Sequence, residues 1–187
     1  SPLPRILAGD PDVIACYEPP SGPRANTGIR RVCTGQQVVF AGGPALVLAK
    51  SLGALHLGGG AATFWMATQD HDWEEIAGAS VWGPGSRHRA RFDVAAHQRG
   101  RPVGQLTFGP DVTAAVSTIA ENLEGPFAER AAECLRSEYR PGRAPHAAFA
   151  ALCDSLWSIP GLEMVAPHER AHCEAAKPLV RRLLRDP

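Results

Sequence analysis

An apolar segment closed at both ends by glycine constrains the fold of this chain more than any other feature. Gly42-Gly43 and Pro44 precede the segment, and Gly58-Gly59-Gly60 follow it. Because residues 45–57 are apolar on nearly all sides, they predict a helix buried against a sheet. Pro44 suits the first helical position, where its missing N–H leaves no hydrogen bond unmade. The leading glycines allow positive φ angles and a close approach of a ligand to the backbone.

Short apolar runs lie on both sides of this predicted helix. Arg31-Val32-Cys33 predicts the end of a buried strand that Thr34-Gly35 breaks, and 62–67 predicts a second strand without alternation. Strand, helix and strand in this order form a right-handed βαβ unit. The pattern therefore predicts an α/β fold, a Rossmann-like three-layer domain with a mainly parallel sheet flanked by helices. We expect one domain over 1–187, with 1–28 as an extended N-terminal segment.

The rest of the chain predicts short strands followed by helices. The predicted strands cover 79–82, 87–94, 103–108 and 162–165. The predicted helices cover 73–77, 111–123 with Asp111 as its cap, 127–139, 146–157 and 166–185. In the last helix we expect four residues to face the core: Leu179, Val180, Leu183 and Leu184.

Two polar clusters follow the first two predicted strands. One is Thr34-Gly35-Gln36-Gln37 and the other is Gln69-Asp70-His71-Asp72. Since ligands of parallel sheets bind beyond the carboxyl ends of the strands, we expect both clusters to face one crevice. Asp70 or Asp72 would orient His71, which would accept a proton from an amine or polarise an acyl group. These three residues are the predicted catalytic group.

A wider set of residues is predicted to bind substrate. Gln36 and Gln37 offer amide donors and acceptors, Gln69 shapes the pocket, and Lys50 with the helix start offers positive charge to a carboxylate or phosphate. The predicted substrate-binding residues are Thr34, Gly35, Gln36, Gln37, Gly42, Gly43, Pro44, Lys50, Trp65 and Gln69.

Four of these stretches occur together in one known protein family. Thr34-Gly35-Gln36-Gln37, Gly42-Gly43-Pro44, Lys50 and the run 64–75 (FWMATQDHDWEE), in this order and spacing, resemble the bacillithiol-biosynthesis cysteine-adding enzymes, the BshC family. The resemblance implies a shortened Rossmann-like core of a carbon–nitrogen ligase that joins cysteine to glucosaminyl malate. The family usually has Glu where this chain has Gln69.

The resemblance also reaches later parts of the chain and bears on partners. Pro102-Val103-Gly104 and 149–166 resemble the rest of the family's core. The family's chains are much longer and carry a coiled-coil arm for dimerisation, which has no counterpart here. A homodimer or a second subunit is one expectation. Amide synthesis requires an activated carboxyl group, and ATP with magnesium is the expected co-substrate, although the chain has no Walker-type lysine loop.

Two other classes of function remain open. His168-Glu169-Arg170-Ala171-His172 is a literal HExxH, which on a helix would place two imidazoles on one face, as in zinc-dependent hydrolases. Little chain follows His172 to supply a third ligand, so we assign no metal residue. Alternatively, the core binds a thiol or amino-acid ligand as a non-catalytic subunit.

The composition favours small-molecule substrates and supports neither a nucleic-acid partner nor a membrane span. Lys plus Arg and Asp plus Glu number 19 each, which gives no support to nucleic-acid binding. No apolar run is long enough to span a membrane, and the first residues lack a signal-peptide pattern. Five cysteines without a CxxC motif indicate reduced, mostly buried thiols in a cytoplasm. Cys33 in particular is expected to be a small core residue.

Overall fold

The computed structural model describes residues 32–185, apart from the side chains at 179–180, 182–183 and 185. The predicted segment 1–28 and the core-facing prediction for Leu179, Val180 and Leu183 lie outside the described part. Two compact units are present, and the described residues of the first are 32–36, 44–65 and 159–165. The second comprises 37–43, 66–158 and the residues from 166 onward. The prediction of one domain over 1–187 stays a prediction.

The first unit is built on a three-stranded sheet in the order β1-β2-β5. These strands are β1 (Val32–Gln36), β2 (Ala62–Met66) and β5 (Leu162–Val165). β2 and β5 run parallel, with Ala62 opposite Leu162 and Trp65 opposite Val165. Helix α1 (Leu46–Leu57) connects β1 to β2 and packs against β1. The predicted α/β class with a parallel sheet is therefore confirmed.

Helix α1 packs against β1, as the sequence predicted, and only one of its faces is fully buried. Its buried residues are Val47, Ser51, Ala54 and Leu55, a spacing that marks a single helical face. Leu46 and Leu57, at the two ends of the helix, are 55% and 42% exposed. Ala54 and Leu55 form a small core with Ala62 of β2, against which Val32, Ile159 and Leu162 pack.

The start of α1 also differs from its prediction. The helix begins at Leu46, so Pro44 lies two residues before it and does not occupy the first helical position. The carbonyl of Pro44 still accepts a hydrogen bond from the N–H of Val47 at 2.9 Å. Pro44 thus opens the turn that leads into the helix.

Strand β1 is longer and less buried than predicted. It continues through Thr34 and Gly35 to Gln36, so these residues lie within the strand and Thr34-Gly35 does not break it. Cys33 is exposed, and its predicted place in the core is wrong. In β2 the burial alternates, with Phe64 fully buried and Trp65 40% exposed, because successive side chains of a strand point to opposite faces.

The second unit combines a hairpin with helices. β3 (Gly78–Gly83) and β4 (Ser86–Arg91) pair antiparallel. Helix α2 (Trp73–Ile76) precedes them, and α3 (Val112–Ala120), α4 (Ala128–Glu138) and α5 (Pro145–Trp157) follow. Helix α4 packs against both α3 and α5. Helix α6 (Arg170–Arg185) is the last element. Edge-to-face ring contacts join Phe40 to Phe92 and Tyr139, and Phe92 to Phe108.

Four predictions for this unit are wrong. The strand predicted at 103–108 is replaced by a 3-10 turn at Val103–Gln105. Asp111 makes no side-chain cap for α3, because its carboxylate accepts the backbone N–H of Asp93. Helix α6 begins at Arg170 and not at 166, and Leu184 is 77% exposed, so it does not face the core.

No helix in the described part of the chain is both long enough and apolar enough to cross a membrane.

Candidate functional site

The loop Gln69–Asp72 lies in the second unit and is organised by the carboxylate of Asp70. Oδ1 of Asp70 accepts the backbone N–H of Asp72 at 3.1 Å. Oδ2 accepts a short hydrogen bond from Nε2 of Gln37, which is 33 residues away in sequence. Both oxygens are therefore engaged, and the structure brings together two residues that the sequence predicted for the site.

His71 projects into solvent beside Asp70. Its side chain is 81% exposed, and Nδ1 lies 3.6 Å from Oδ1 of Asp70. This separation is longer than a hydrogen bond but suits an ion pair when the ring is protonated. Gln69, the residue before Asp70, is also exposed.

Asp72 has a structural task that the sequence did not reveal. It is the N-cap of α2, where its Oδ1 accepts the N–H groups of Glu74 and Glu75 at 3.1 and 3.2 Å. Such a cap satisfies backbone donors that a helix start leaves unpaired. Asp70, and not Asp72, is thus the carboxylate that faces His71.

The 3-10 turn at Val103–Gln105 holds the loop Gln69–Asp72 through two backbone hydrogen bonds. The N–H of Val103 donates to the carbonyl of Asp70 at 2.7 Å, and the N–H of Gly104 donates to the carbonyl of Thr68 at 2.8 Å. The sequence related this stretch to the family's core only by resemblance and did not connect it to the site. The two backbone hydrogen bonds give it a physical role, since they hold the loop on both sides of Gln69.

His168, from the HExxH sequence, lies directly beside the same support. It precedes α6 and does not belong to the helix, so His168 and His172 do not share a helical face. Nδ1 of His168 is 2.8 Å from Oγ1 of Thr68. Among the described residues, no group of three or more His, Cys, Asp or Glu side chains is arranged to hold a metal ion.

A second imidazole packs against His168. The rings of His146 and His168 meet edge to face with centroids 4.6 Å apart. Nδ1 of His146 is buried and makes no hydrogen bond with a described residue. Burial lowers the pKa of His146 below its ordinary value of 6.5, and the charge of His168 lowers this pKa further, whereas Glu169 opposes the shift.

This lowered pKa predicts a pH dependence of stability. Because the folded chain resists protonation of His146, the unfolded chain binds more protons below about pH 6.5, and the free energy of unfolding falls as the pH falls. The variant His146→Phe keeps a ring but cannot titrate. We expect the variant to lose less stability than the parent between about pH 7.5 and about pH 5.5, as measured by urea unfolding. Equal losses in the two proteins would contradict a depressed pKa at His146.

The glycine pair before α1 adopts the positive φ angles that the sequence predicted. Gly42 has φ 85°, and Gly43 has φ 72° with ψ −166°, a combination that only glycine adopts readily. Phe40, at the start of this turn, is buried, and its ring packs on that of Tyr139 with the centroids 5.2 Å apart. Burial raises the pKa of Tyr139, so its hydroxyl stays neutral beside the backbone of Gly42.

The first unit holds the other predicted residues. Thr34, Gly35 and Gln36 are half-buried in β1. Nζ of Lys50, on α1, donates to the carbonyl of Gly35 at 3.2 Å. A Cβ added to Gly35 would lie 2.1 Å from the carbonyl oxygen of Trp65, so Gly35 is where β1 approaches β2 closely. Lys50 of α1 and Gly35 of β1 are thus brought together, and Gly35 belongs to the sheet and not to a turn.

Each unit therefore assembles its own share of the predicted site. Gln37 and the loop Gln69–Asp72 belong to the second unit with Gly42-Gly43, whereas Lys50 and the residues of β1 belong to the first. The chain passes from one unit to the other after Gln36, Gly43, Trp65, Ser158 and Val165. Convergence of the two groups on one crevice stays a prediction.

Comparison with known proteins matches residues 25–187 to a family model described as "Bacillithiol biosynthesis BshC, N-terminal Rossmann-like domain". A protein of Koribacter versatilis is 32% identical over 94% of this chain and 33% of its own length. A protein of Solibacter usitatus is 33% identical over 86% of this chain and 34% of its own length. A protein of Thermus thermophilus is 52% identical over 48 residues, which cover 24% of this chain and 10% of that protein. All three carry the name "Putative cysteine ligase BshC". The chain spans about one third of the length of the first two relatives.

Proposed function

The chain belongs to the bacillithiol biosynthesis BshC family, a family of ligases, and we propose that it joins cysteine, or a similar amino acid, to an amine acceptor such as glucosaminyl malate. The bond formed is an amide between the carboxyl group of the amino acid and the amine of the acceptor, and the displaced carboxyl oxygen leaves with the phosphoryl or adenylyl group that ATP supplies. The amine must lose a proton as it attacks, so the site requires a base. The alternative roles as a zinc-dependent hydrolase or a non-catalytic subunit have less support.

The observation that carries the proposal is the arrangement of Asp70 and His71. His71 is solvent-exposed and can reach a bound substrate, while Asp70 lies 3.6 Å from its Nδ1. Gln37 and the backbone N–H of Asp72 hold Asp70 in place. In our proposal His71 accepts the proton of the attacking amine, and Asp70 stabilises the imidazolium that results. Asp72 contributes by capping α2.

Substrate anions are assigned to groups in the first unit. Lys50 is half-buried, and its ammonium is held by the carbonyl of Gly35, which fixes the position of one positive charge. The start of α1 after Pro44 has no side-chain cap, so its backbone donors suit a carboxylate or a phosphate. We propose that these groups bind the malyl carboxylate or the triphosphate of ATP, with magnesium as the counter-ion.

The setting and the partners are part of the same proposal. The described cysteines Cys33, Cys134, Cys153 and Cys173 are free thiols, which fits a reducing cytoplasm. We propose that the protein acts on small-molecule substrates as a homodimer or together with a second subunit.

Mass spectrometry of reaction mixtures tests the proposed reaction. The purified chain is incubated with cysteine, glucosaminyl malate and ATP with magnesium, and matched mixtures replace cysteine by serine or omit ATP. We expect a cysteine adduct of the acceptor that depends on ATP. Calorimetric titration with cysteine and with the acceptor runs in parallel, because binding of both without an adduct would indicate the non-catalytic role.

The HExxH alternative is tested by His172→Ala and Glu169→Gln in the same assay. Since His168 and His172 do not share a helical face, we expect both variants to form the adduct at the parental rate within about twofold. Hydrolytic activity that depends on zinc and disappears in both variants would overturn the ligase proposal in favour of the hydrolase.

A further inference from the structure

Behind the candidate catalytic loop lies a buried hydroxyl that belongs to neither a predicted catalytic nor a predicted binding residue. We infer that His168 is a positioning residue, which holds Thr68 and thereby the loop Gln69–Asp72. This inference rests on the proposed function for its effect on turnover, but its structural part is independent of that function.

The hydroxyl of Thr68 is held by two groups of one residue. Thr68 is fully buried, and its Oγ1 lies 3.3 Å from the backbone N–H of His168 and 2.8 Å from Nδ1 of the same residue. A hydroxyl has one proton to donate and two lone pairs to accept. Since Oγ1 accepts from the backbone N–H, its proton is available to Nδ1. Donation to Nδ1 gives the buried hydroxyl proton an acceptor, and in that arrangement the ring proton of His168 lies on Nε2.

The ring of His168 fits a space that only glycine leaves open. A Cβ added to Gly104 would lie 2.3 Å from Cγ of His168, well inside contact distance. Gly104 itself donates its N–H to the carbonyl of Thr68 at 2.8 Å. His168 therefore binds the side chain of Thr68, and Gly104 binds its backbone carbonyl.

His146 completes the support without competing for the same atoms. Its ring packs edge to face on His168, and its buried Nδ1 makes no hydrogen bond with a described residue. Packing on this side restricts rotation of the His168 ring. The ring can then present Nδ1 to Thr68 in one orientation.

The support is joined to the catalytic group by a short covalent path. Thr68 is two residues before Asp70, and the carbonyl of Asp70 accepts from Val103, the neighbour of Gly104. If Thr68 loses its side-chain anchor, the loop is held by the backbone hydrogen bonds from Val103 and Gly104 and by the hydrogen bond from Gln37 to Asp70. We expect Asp70 and His71 to become more mobile, with kcat lowered and KM for cysteine nearly unchanged.

The test compares Thr68→Val with Thr68→Ser. Valine keeps the shape of threonine but lacks the hydroxyl, whereas serine keeps the hydroxyl. Amide hydrogen exchange, followed by NMR in the parent and both variants, reports the mobility of Asp70 and Asp72 without any need for turnover. We expect Thr68→Val to speed exchange at these amides by roughly fivefold to tenfold, the effect of one lost hydrogen bond, and to lower kcat by a similar factor. Thr68→Ser should stay within about twofold of the parent.

A second pair of variants isolates the ring nitrogen. His168→Asn places an amide atom near the position of Nδ1, and His168→Gln places one near Nε2. We expect His168→Asn to keep the slow amide exchange of the parent at Asp70 and Asp72, and His168→Gln to exchange as fast as Thr68→Val. A ¹⁵N spectrum of the parent should show the ring proton of His168 on Nε2.

The outcomes separate the two proposals. Unchanged exchange in Thr68→Val would overturn the positioning role, whether or not the chain has ligase activity. Altered exchange with unaltered kcat in an active chain would also overturn it. Altered exchange in a chain that makes no adduct would support the structural anchor while contradicting the proposed function.

Discussion

Replacing His71 by Ala is expected to lower kcat for cysteine ligation by about 10²–10⁴-fold, the usual contribution of a general base. The ring is 81% exposed and packs against little, so its loss should leave the unfolding temperature unchanged. KM should change little, because the predicted substrate-binding residues other than Gln69 lie outside this loop. Initial rates of adduct formation at saturating substrate, measured by mass spectrometry, give kcat.

Asp72→Ser is the matched control for this prediction. Serine is also a good N-cap, so the variant keeps the start of α2 while it removes the carboxylate. We expect its kcat to stay within about threefold of the parent, since the carboxylate that faces His71 belongs to Asp70. Parental activity in His71→Ala would exclude His71 as the base. An equal loss in both variants would assign Asp72 a role in the chemistry as well as in capping.

The sequence predicted best those elements whose own residues determine them. Pro145 at a helix start and an apolar run behind it predicted α5, and the structure begins that helix at Pro145 and ends it at Trp157, as expected. The strand at 162–165 was predicted with its observed bounds. Both elements combine a local start signal, Pro145 or Gly161, with a mostly apolar sequence.

The wrong predictions concern segments whose conformation depends on distant backbone groups. The alternating apolar residues at 103–108 suggested a strand, but the N–H groups of Val103 and Gly104 donate to carbonyls of Asp70 and Thr68. These partners are more than 30 residues away, and no local pattern reveals them. In the same way, the carboxylate of Asp111 binds the N–H of Asp93, which draws it away from the helix it was expected to cap.

The identities of the site residues stay a prediction, and the structure adds local contacts that the sequence did not reveal. The sequence does not distinguish the roles of Asp70 and Asp72. In the structure Asp70 lies beside His71, whereas Asp72 caps α2. His168 was noticed for a zinc motif, yet its ring lies against Thr68 and Gly104. The HExxH motif places its two histidines on one face only if both lie in the same helix. Here α6 begins two residues after His168.

Gly35→Ala is expected to destabilise the first unit by about 3 kcal/mol or more, at or above the upper end of overpacking effects. A methyl group at this position would lie 2.1 Å from the carbonyl oxygen of Trp65 and 2.8 Å from its Cβ. Because both strands belong to one small sheet, the collision can be relieved only by separating β1 from β2. Urea unfolding followed by circular dichroism measures the loss.

Gly53→Ala and Lys50→Met separate this collision from the general effect of an added methyl group and from loss of the lysine hydrogen bond. Gly53 lies in α1 with open space around its Cβ position, so alanine there should raise stability by about 0.5–1 kcal/mol through helix propensity. Lys50→Met removes the hydrogen bond to the carbonyl of Gly35 but introduces no collision, and we expect it to weaken substrate binding while the fold persists. If Gly35→Ala were as stable as the parent and lost only substrate affinity, the residue would belong to the binding site, as the sequence first indicated. The 2.1 Å approach of the two strands favours the opposite result, in which this glycine is required by the sheet that carries the site.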